Sequence, residues 1–431
     1  MTTSNAVSLR MKSLNCRKEE EVLTSLMNST IPDDWDIIHV HEVPYSITTK
    51  TFWSSTHWIP FFPTLTPTKD NPIRSLILVN SNIPSDSFVQ LPFTSRDVVN
   101  LHFASLKLLI IGIYNDGTHN NTISSLNTYL STIHLLSPSS PVHTLLLGDF
   151  NRHHALWSGD RCPRRRRDPT NKTMAEPLVE LLAANDLQLA LPPGTPTYWS
   201  ARWKSWTTID LAFVSGSLED AVVRCHTAHE HGSDHHALVL HLDLKLIRNS
   251  FSPRPLFRET DWEKFHEVLG SRMTARPVAL EKLDSPQLID DAVTTLTEHF
   301  QEALKQATPV SKPSPYARRW WTKALSELRK RFHKAERRAR RRNASEECRE
   351  EASRCKREYF NAIRCQKRRH WREWLEAANE RSVWLAYKYA AAPSNPTASR
   401  IPPLKKPDGG QATTSAEKCS VLLDTFFPLP P

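Results

Sequence analysis

Five short strings place acids, amides and imidazoles at the ends of apolar runs. Leu145-Leu146-Leu147-Gly148-Asp149-Phe150-Asn151 ends in a glycine turn that offers a carboxylate and an amide. Gly232-Ser233-Asp234-His235-His236 sets an acid and an imidazole just before the apolar residues 237–240. Thr208-Ile209-Asp210 leads an acid into the apolar residues 211–214. Ile37-Ile38-His39-Val40-His41-Glu42 closes a run with a carboxylate, and Leu14-Asn15-Cys16 closes another with an amide. Carboxylate and amide oxygens suit hard divalent cations, and a carboxylate beside an imidazole can fix its tautomer and favour its charged form. Each string alone has a plainer reading: a strand commonly ends in a polar residue because it reaches water.

The elements that must position these groups are legible from periodicity. Short apolar runs rich in Val, Ile and Leu predict strands at 9–15, 36–40, 75–80, 97–103, 106–114, 142–147, 208–215, 221–228 and 236–243. Apolar residues at three- and four-residue steps predict helices at 18–28, 121–134 and 173–185; in the first these are Val22, Leu23, Leu26 and Met27. Many strands with few helices between them predict sheet packed on sheet with helices outside, not one parallel sheet. A Pro-broken basic stretch, 244–260, then reads as a linker. Residues 261–307 are helical in pattern, with Trp262, Phe265, Val268 and Leu269 on one face. Residues 308–315 form a second linker, and 316–392 predict one or two long basic helices. Residues 393–431 read as a Pro-rich, poorly ordered tail.

Composition excludes several classes. In 431 residues only ten are glycine and no G-x-G-x-x-G occurs, which argues against a dinucleotide fold. Gly112 and Gly117 have phosphate-loop spacing, but Thr118 stands where lysine is needed. No apolar run approaches the roughly 18 residues of a membrane span, and the first residues lack a signal-peptide core. Seven cysteines without a C-x-x-C read as a reducing compartment and no cysteine-based zinc site. The net charge of +10 is uneven: residues 1–242 carry −3, whereas 316–372 alone carry +14. Fifteen of 19 histidines lie before residue 243. That asymmetry implies two jobs, the second involving a polyanion.

In this order and spacing, the five strings resemble the endonuclease/exonuclease/phosphatase superfamily with its DNase I-like fold. The resemblance is stronger to the apurinic/apyrimidinic-like endonuclease domain of non-LTR retrotransposons. The stretches LLLGDFNRHHALW and GSDHHALVL, with T-x-W before the Ile209-Asp210 strand, look most like Tad- and I/Jockey-like elements. It covers about residues 8–243. It implies an α+β fold, a four-layer α/β/β/α sandwich at 1–243, followed by a mostly α-helical basic region. By the same resemblance Asn15 and Glu42 match the divalent-metal pair, and Asp234 the acid near the metal. Tyr114 matches a tyrosine on the scissile phosphate, Asp149 the acid that orients or deprotonates water, and Asn151 the amide on a phosphate oxygen. Asp210 matches the acid paired with the catalytic histidine, His235. Thr197 and Ser233 match hydroxyls near the DNA backbone. The implied cofactor is Mg²⁺, with Mn²⁺ as a substitute, and the implied partner is double-stranded DNA, in the nucleus. Phosphodiester hydrolysis asks for these types: a hard cation and hydrogen-bond donors to neutralise growing oxygen charge, and a carboxylate to activate water.

This chain departs from the pattern at Glu42, which is preceded by His41 and followed by Val43 where the family commonly has Gln and Pro. It also lacks the acid that some cellular relatives carry two residues after Asn15, so one-metal chemistry is expected. Arg164, Arg165, Arg166 and Arg167 read as a solvated run or as a DNA-backbone or nuclear-import segment. His153 and His154 read as a DNA-edge contact or an exposed, core-capping pair. A zinc site at His226, His229 and His231 is disfavoured without a distant partner. Trp199, Trp203 and Trp206 are core residues or a wedge against DNA. The array at 330–372 is a solvated helix or, with most arginines unpaired, a contact for element RNA or target DNA. Trp320, Trp321, Trp371, Trp374 and Trp384 are packing residues first and stacking platforms second. Asp290-Asp291 sits in a helical context, so no polymerase site is expected, and the chain reads as truncated before a reverse transcriptase. The expected activity is nicking of target DNA to leave a 3′-hydroxyl primer. Alternatives are a catalytically decayed fragment that only binds nucleic acid, and a superfamily phosphatase acting on inositol phosphates or phospholipids.

Overall fold

The runs LLIIGIY and HTLLLGD carry almost no polarity, and such strands need cover on both faces. A computed structural model provides that cover. It describes residues 5–30, 32–44, 57–65, 72–136, 142–159, 168–229, 231–248, 255–278, 284–310, 320–341, 344–379, 383–384, 404–407, 410–412 and 415–426. The chain begins with β1 (Asn5–Asn15), α1 (Glu20–Ser29), β2 (Ile37–His41), β3 (Trp58–Phe61) and β4 (Ser75–Asn80). It continues with β5 (Val89–Leu91), β6 (Val98–Phe103), β7 (Leu108–Tyr114), α2 (Asn121–Leu136), β8 (His143–Asp149), α3 (Ala155–Ser158) and α4 (Pro169–Ala184). Next come β9 (Leu187–Leu189), β10 (Tyr198–Ser200), β11 (Ser205–Thr207), β12 (Asp210–Ser215), β13 (Val222–Ala228) and β14 (Ala237–Arg248).

Two six-stranded sheets form, in the orders β13-β14-β1-β2-β4-β3 and β5-β6-β7-β8-β12-β9. Their inner faces meet through Leu9, Met11, Ile37 and Ile77 on one side and Leu101, Ile110, Leu145, Leu147 and Ala212 on the other. Outside the second sheet lie α2 and α4, packed through Ile123, Leu126, Leu130, Leu178 and Leu181. The first sheet turns Leu14, Ile38, Val40, Leu76 and Leu78 outward against α1 and against two helices from the basic half, α7 (Lys323–Ala339) and α8 (Glu346–Glu376). The α/β/β/α order expected from the sequence is thus the observed one.

The fourth layer differs from expectation in its source. Residues 1–249 and 316–431 form one unit, and 250–315 form another. Leu325, Phe332, Tyr359, Phe360 and Ile363 share one cluster with Leu14 and Val22. Net charge hid this: apolar residues at helical spacing sit between the arginines and form one stripe. Thr322 and Ser345 cap the two helices by accepting from Leu325 N and Cys348 N.

In the second unit, α5 (Trp262–Ala275) and α6 (Pro286–Ala307) pack through Phe265, Ala303 and Ala307, with Val268 and Leu269 alongside. Trp262, expected on that face, is largely exposed and meets the Phe265 ring edge-on. The tail expected to be poorly ordered contains β15 (Leu404–Lys405), paired with β16 (Gln411–Ala412), and α9 (Ser415–Phe426). No described helix is long and apolar enough to cross a membrane.

Candidate active site

Five strand ends meet at one edge of the sandwich. β7, β8 and β12 run side by side, so Tyr114, Asp149 and Asp210 stand in a row across the second sheet. β1 and β2 end together in the first sheet, with Asn15 opposite His41 and Glu42 next in chain. Gly148 permits the approach of β8 to β7: its φ is +147°, and a Cβ there would lie 1.8 Å from the Ile113 carbonyl oxygen. Only glycine can precede Asp149 in this backbone.

One amide ties the two sheets together. Asn15 Nδ2 donates to Glu42 Oε1 (3.0 Å) and to Asp149 Oδ2 (3.1 Å), while its Oδ1 accepts from Arg17 N (2.8 Å). Glu42 is set by a left-handed turn at φ 47°. Asp149 Oδ1 accepts from Asn151 N at 3.0 Å, and Asn151 Nδ2 donates to the Asn115 carbonyl. Asp149 is buried. Loss of water, then the neighbouring Asp210 charge, raise its pKa from the ordinary carboxylate value to about 7, against the lowering influence of His235.

Asp210 holds the imidazole of His235 with both oxygens, at 2.9 and 3.1 Å from Nδ1. Burial alone would lower the histidine's pKa. The charge and hydrogen bond of Asp210, helped by Asp149 and Asp234, outweigh it and lift the value to about 9. His235 is therefore an imidazolium at neutral pH. Tyr114 is raised as well: burial, then the charges of Glu42 and Asp149, keep its phenol protonated. Arg74 lies 4.9 Å from its ring centroid and is itself fixed by Asp97 and Asp116.

Hydrogen bonds thus join Asn15, Glu42, Asp149 and Asn151 in one group and Asp210 with His235 in another along this edge, with Tyr114 and Asp210 on the strands either side of Asp149. Asp234 lies in the loop before β14 and pairs with Arg17 at 3.3 Å. The structure gives Thr197 and Ser233 interior partners. Thr197 Oγ1 is buried and accepts from both Ile209 N and Asp210 N at 3.0 Å. Ser233 Oγ donates to the Asn15 carbonyl (2.8 Å) and accepts from His235 N (3.1 Å). Both hydroxyls hold the backbone amide of the acid or of the imidazole. Arg164, Arg165, Arg166 and Arg167 lie outside the described residues.

Sequence reasoning gave no role to three groups. His41 reaches within 4.8 Å of the ligand atoms of both Asp149 and Asp210, and burial holds it neutral. His39 of β2 lies between its neighbours in the first sheet, its ring nitrogens each 2.9 Å from a serine oxygen, Ser13 of β1 and Ser75 of β4. Asn115 Nδ2 donates to the Phe150 carbonyl and shapes the turn after Asp149. The signal for two of them was adjacency: His41 precedes Glu42, and Asn115 follows Tyr114.

His229 pairs with Glu336 of α7 at 2.7 Å, and His231 lies 3.4 Å from Ser25 Oγ, so these histidines serve packing of the fourth layer. Trp206 stacks with Trp199 and His236, whereas Trp203, at the turn between β10 and β11, is largely exposed beneath Arg202.

The donor set fits a hard divalent cation. Glu42 and Asp149 carboxylates lie either side of one amide, and His41, Asp149 and Asp210 bring ligand atoms within 4.8 Å of one another. Asp149's raised pKa is the electrostatic cost that such a cation would relieve.

Residues 108–239 match the family model described as endonuclease-reverse transcriptase. No curated protein matches the chain. Among solved structures, the endonuclease domain of TRAS1, a telomere-specific non-LTR retrotransposon, is 16% identical, with 55% of this chain and 99% of that chain covered at a TM-score of 0.43. The 3′-5′ exonuclease NExo from Neisseria meningitidis is 15% identical, with 55% and 100% covered at a TM-score of 0.41. The 3′ phosphatase NExo from Neisseria, bound to product DNA hairpin, gives the same figures.

Proposed function

We propose, from the premise that this chain carries a DNase I-like endonuclease domain of the endonuclease/exonuclease/phosphatase type, that it is a Mg²⁺-dependent DNA endonuclease of a non-LTR retrotransposon. It nicks one strand by water attack on a phosphodiester and leaves a 3′-hydroxyl able to prime reverse transcription. The observation that carries this reading is the Asn15 amide bridging Glu42 and Asp149 beside the Asp210–His235 pair. Residues far apart in sequence supply every group that the hydrolysis of a phosphodiester demands.

Each group has a role that its surroundings favour. Glu42 and Asn15, with Asp234 nearby, would hold the cation. A bound Mg²⁺ supplies positive charge to phosphate oxygens as their negative charge grows. Asp149, with a pKa near neutrality, takes a proton from the attacking water. Asn151 positions the acid's turn and offers its amide to a non-bridging oxygen. The protonated Tyr114 and the imidazolium of His235 donate to phosphate oxygens, and Asp210 keeps that imidazolium charged and oriented. No covalent intermediate is needed. Exposed Trp203 with Arg202 offers a ring and a cation to DNA beside this edge.

The test is supercoiled plasmid with Mg²⁺, with and without EDTA. Open circles that a DNA polymerase extends without prior phosphatase treatment support the reading. Mobility shift without nicking, or phosphate release from inositol phosphates with intact plasmid, would overturn it.

A further inference from the structure

The loop that carries His235 is gripped from two sides. From the sandwich, Ser233 Oγ donates to the Asn15 carbonyl and accepts from His235 N. From the helical layer, Lys356 Nζ of α8 donates to the Gly232 carbonyl at 2.7 Å. Arg340, the residue after α7, donates to the Ser233 carbonyl at 3.3 Å and to Glu336 Oε1 at 2.5 Å. Its guanidinium also lies 4.9 Å from the Trp206 ring centroid, and that ring stacks on His236. Gly232 has a φ of +82° and lies against Phe332 and Phe360; a Cβ would come within 3.1 Å of each ring. A side chain here would be strained by the backbone and crowded by both rings, so glycine fits the loop against α7 and α8.

Two cations of a strongly basic region are thus turned inward onto peptide carbonyls. Both are partly buried, whereas Arg337, Arg338 and Arg341 on the same turn of α7 and just beyond it stay exposed. Contact with a polyanion accounts for the exposed set and not for the inward pair.

We propose that Arg340 and Lys356 are positioning residues for phosphodiester hydrolysis: from the fourth layer they fix the Gly232 and Ser233 carbonyls and so hold His235 against Asp210. This rests on the nuclease reading above. It makes the helices after the linker part of the catalytic unit, and the histidine loop dependent on residues more than a hundred positions downstream.

The full chain with Arg340→Met, Lys356→Met, Arg340→Lys and, as a charge control, Arg337→Met tests this. Hydrogen exchange reads the clamp without activity: amides 231–236 exchange faster in the two Met variants at clamp positions and not in the control. In plasmid nicking with Mg²⁺, kcat falls about tenfold to a hundredfold, the scale of a small misplacement of a reacting group. KM stays within about twofold, as for an interaction made in the transition state alone. Arg340→Lys, which keeps a donor, restores most of kcat. Lys356→Met leaves Arg340 in place and removes the Gly232 contact together with the longer Glu19 pair and the contact over the Phe360 ring, so it reports even if Arg340→Met unfolds. Unchanged exchange with wild-type kcat overturns the proposal, as does an equal rise of KM in all Met variants, which would mark simple phosphate contacts. A wild-type chain that does not nick sinks the nuclease reading, while exchange still decides the clamp.

Discussion

Asp149, Asp210 and His235 are buried among one another, held by hydrogen bonds and costly charge. Phe332, Tyr359 and Phe360 on the helices across the first sheet are buried among rings and aliphatic chains. The first region concentrates groups whose preferred state is solvated; the second contributes the apolar burial that stabilises the fold around them. Loss of a group in the first should therefore remove chemistry and spare stability, and loss in the second should do the reverse.

Asp149→Asn is the largest expected effect. Nicking falls about a thousandfold, within the range for losing a general base. The stability sign is opposite. Asp149's folded pKa, about 7, lies above its unfolded value, so ionisation costs stability progressively between those values and fully above the higher one. At pH 8 the variant should melt no lower than wild type; a marked drop in melting temperature would erase the contrast between the regions.

Phe332→Ala sharpens the other side. Removing a fully buried ring costs about 3–5 kcal/mol, read by denaturant unfolding of the full chain. The Phe265→Ala change, in the small cluster of α5 and α6, should cost less because fewer buried partners surround it. Equal costs would mean that the fourth layer is no more integral than the second unit.

The pH profile tests the charged edge without mutation. Asp149 must be ionised, which it is above about 7, and His235 must be protonated, which it is below about 9. Nicking should follow a bell between those limits. Raising Mg²⁺ should move the acid limb downward, because a nearby cation favours the carboxylate. A rate that keeps rising past the upper limit would remove His235 as a donor. The smallest effect is expected from Trp203→Ala: weaker DNA binding by about tenfold, the scale of one lost stacking contact, with unchanged melting. An altered melting temperature would make Trp203 a core residue.

The candidate site was legible because its residues announce themselves. A carboxylate at the end of LLLGD or an imidazole before ALVL breaks an apolar run, and one broken run after another marked the strand ends. The main strands and the first three long helices were equally plain. The fourth layer was not, because Leu325, Phe332, Tyr359 and Phe360 sit among arginines whose charge dominates any composition window. The burial of Thr197 and Ser233 was not legible: a hydroxyl that holds the Asp210 amide and one at the surface have the same sequence. Strand β3, with Pro60 inside four residues, gives no period to read.

Single-turnover nicking of supercoiled plasmid by wild type and His235→Ala, each with Mg²⁺ and with EDTA, tests the central claim most directly. The convergent edge predicts open circles from wild type with Mg²⁺ alone and at least a hundredfold slower nicking by the variant, the scale of a lost charged donor. Equal nicking by the two proteins, or nicking indifferent to EDTA, would contradict it.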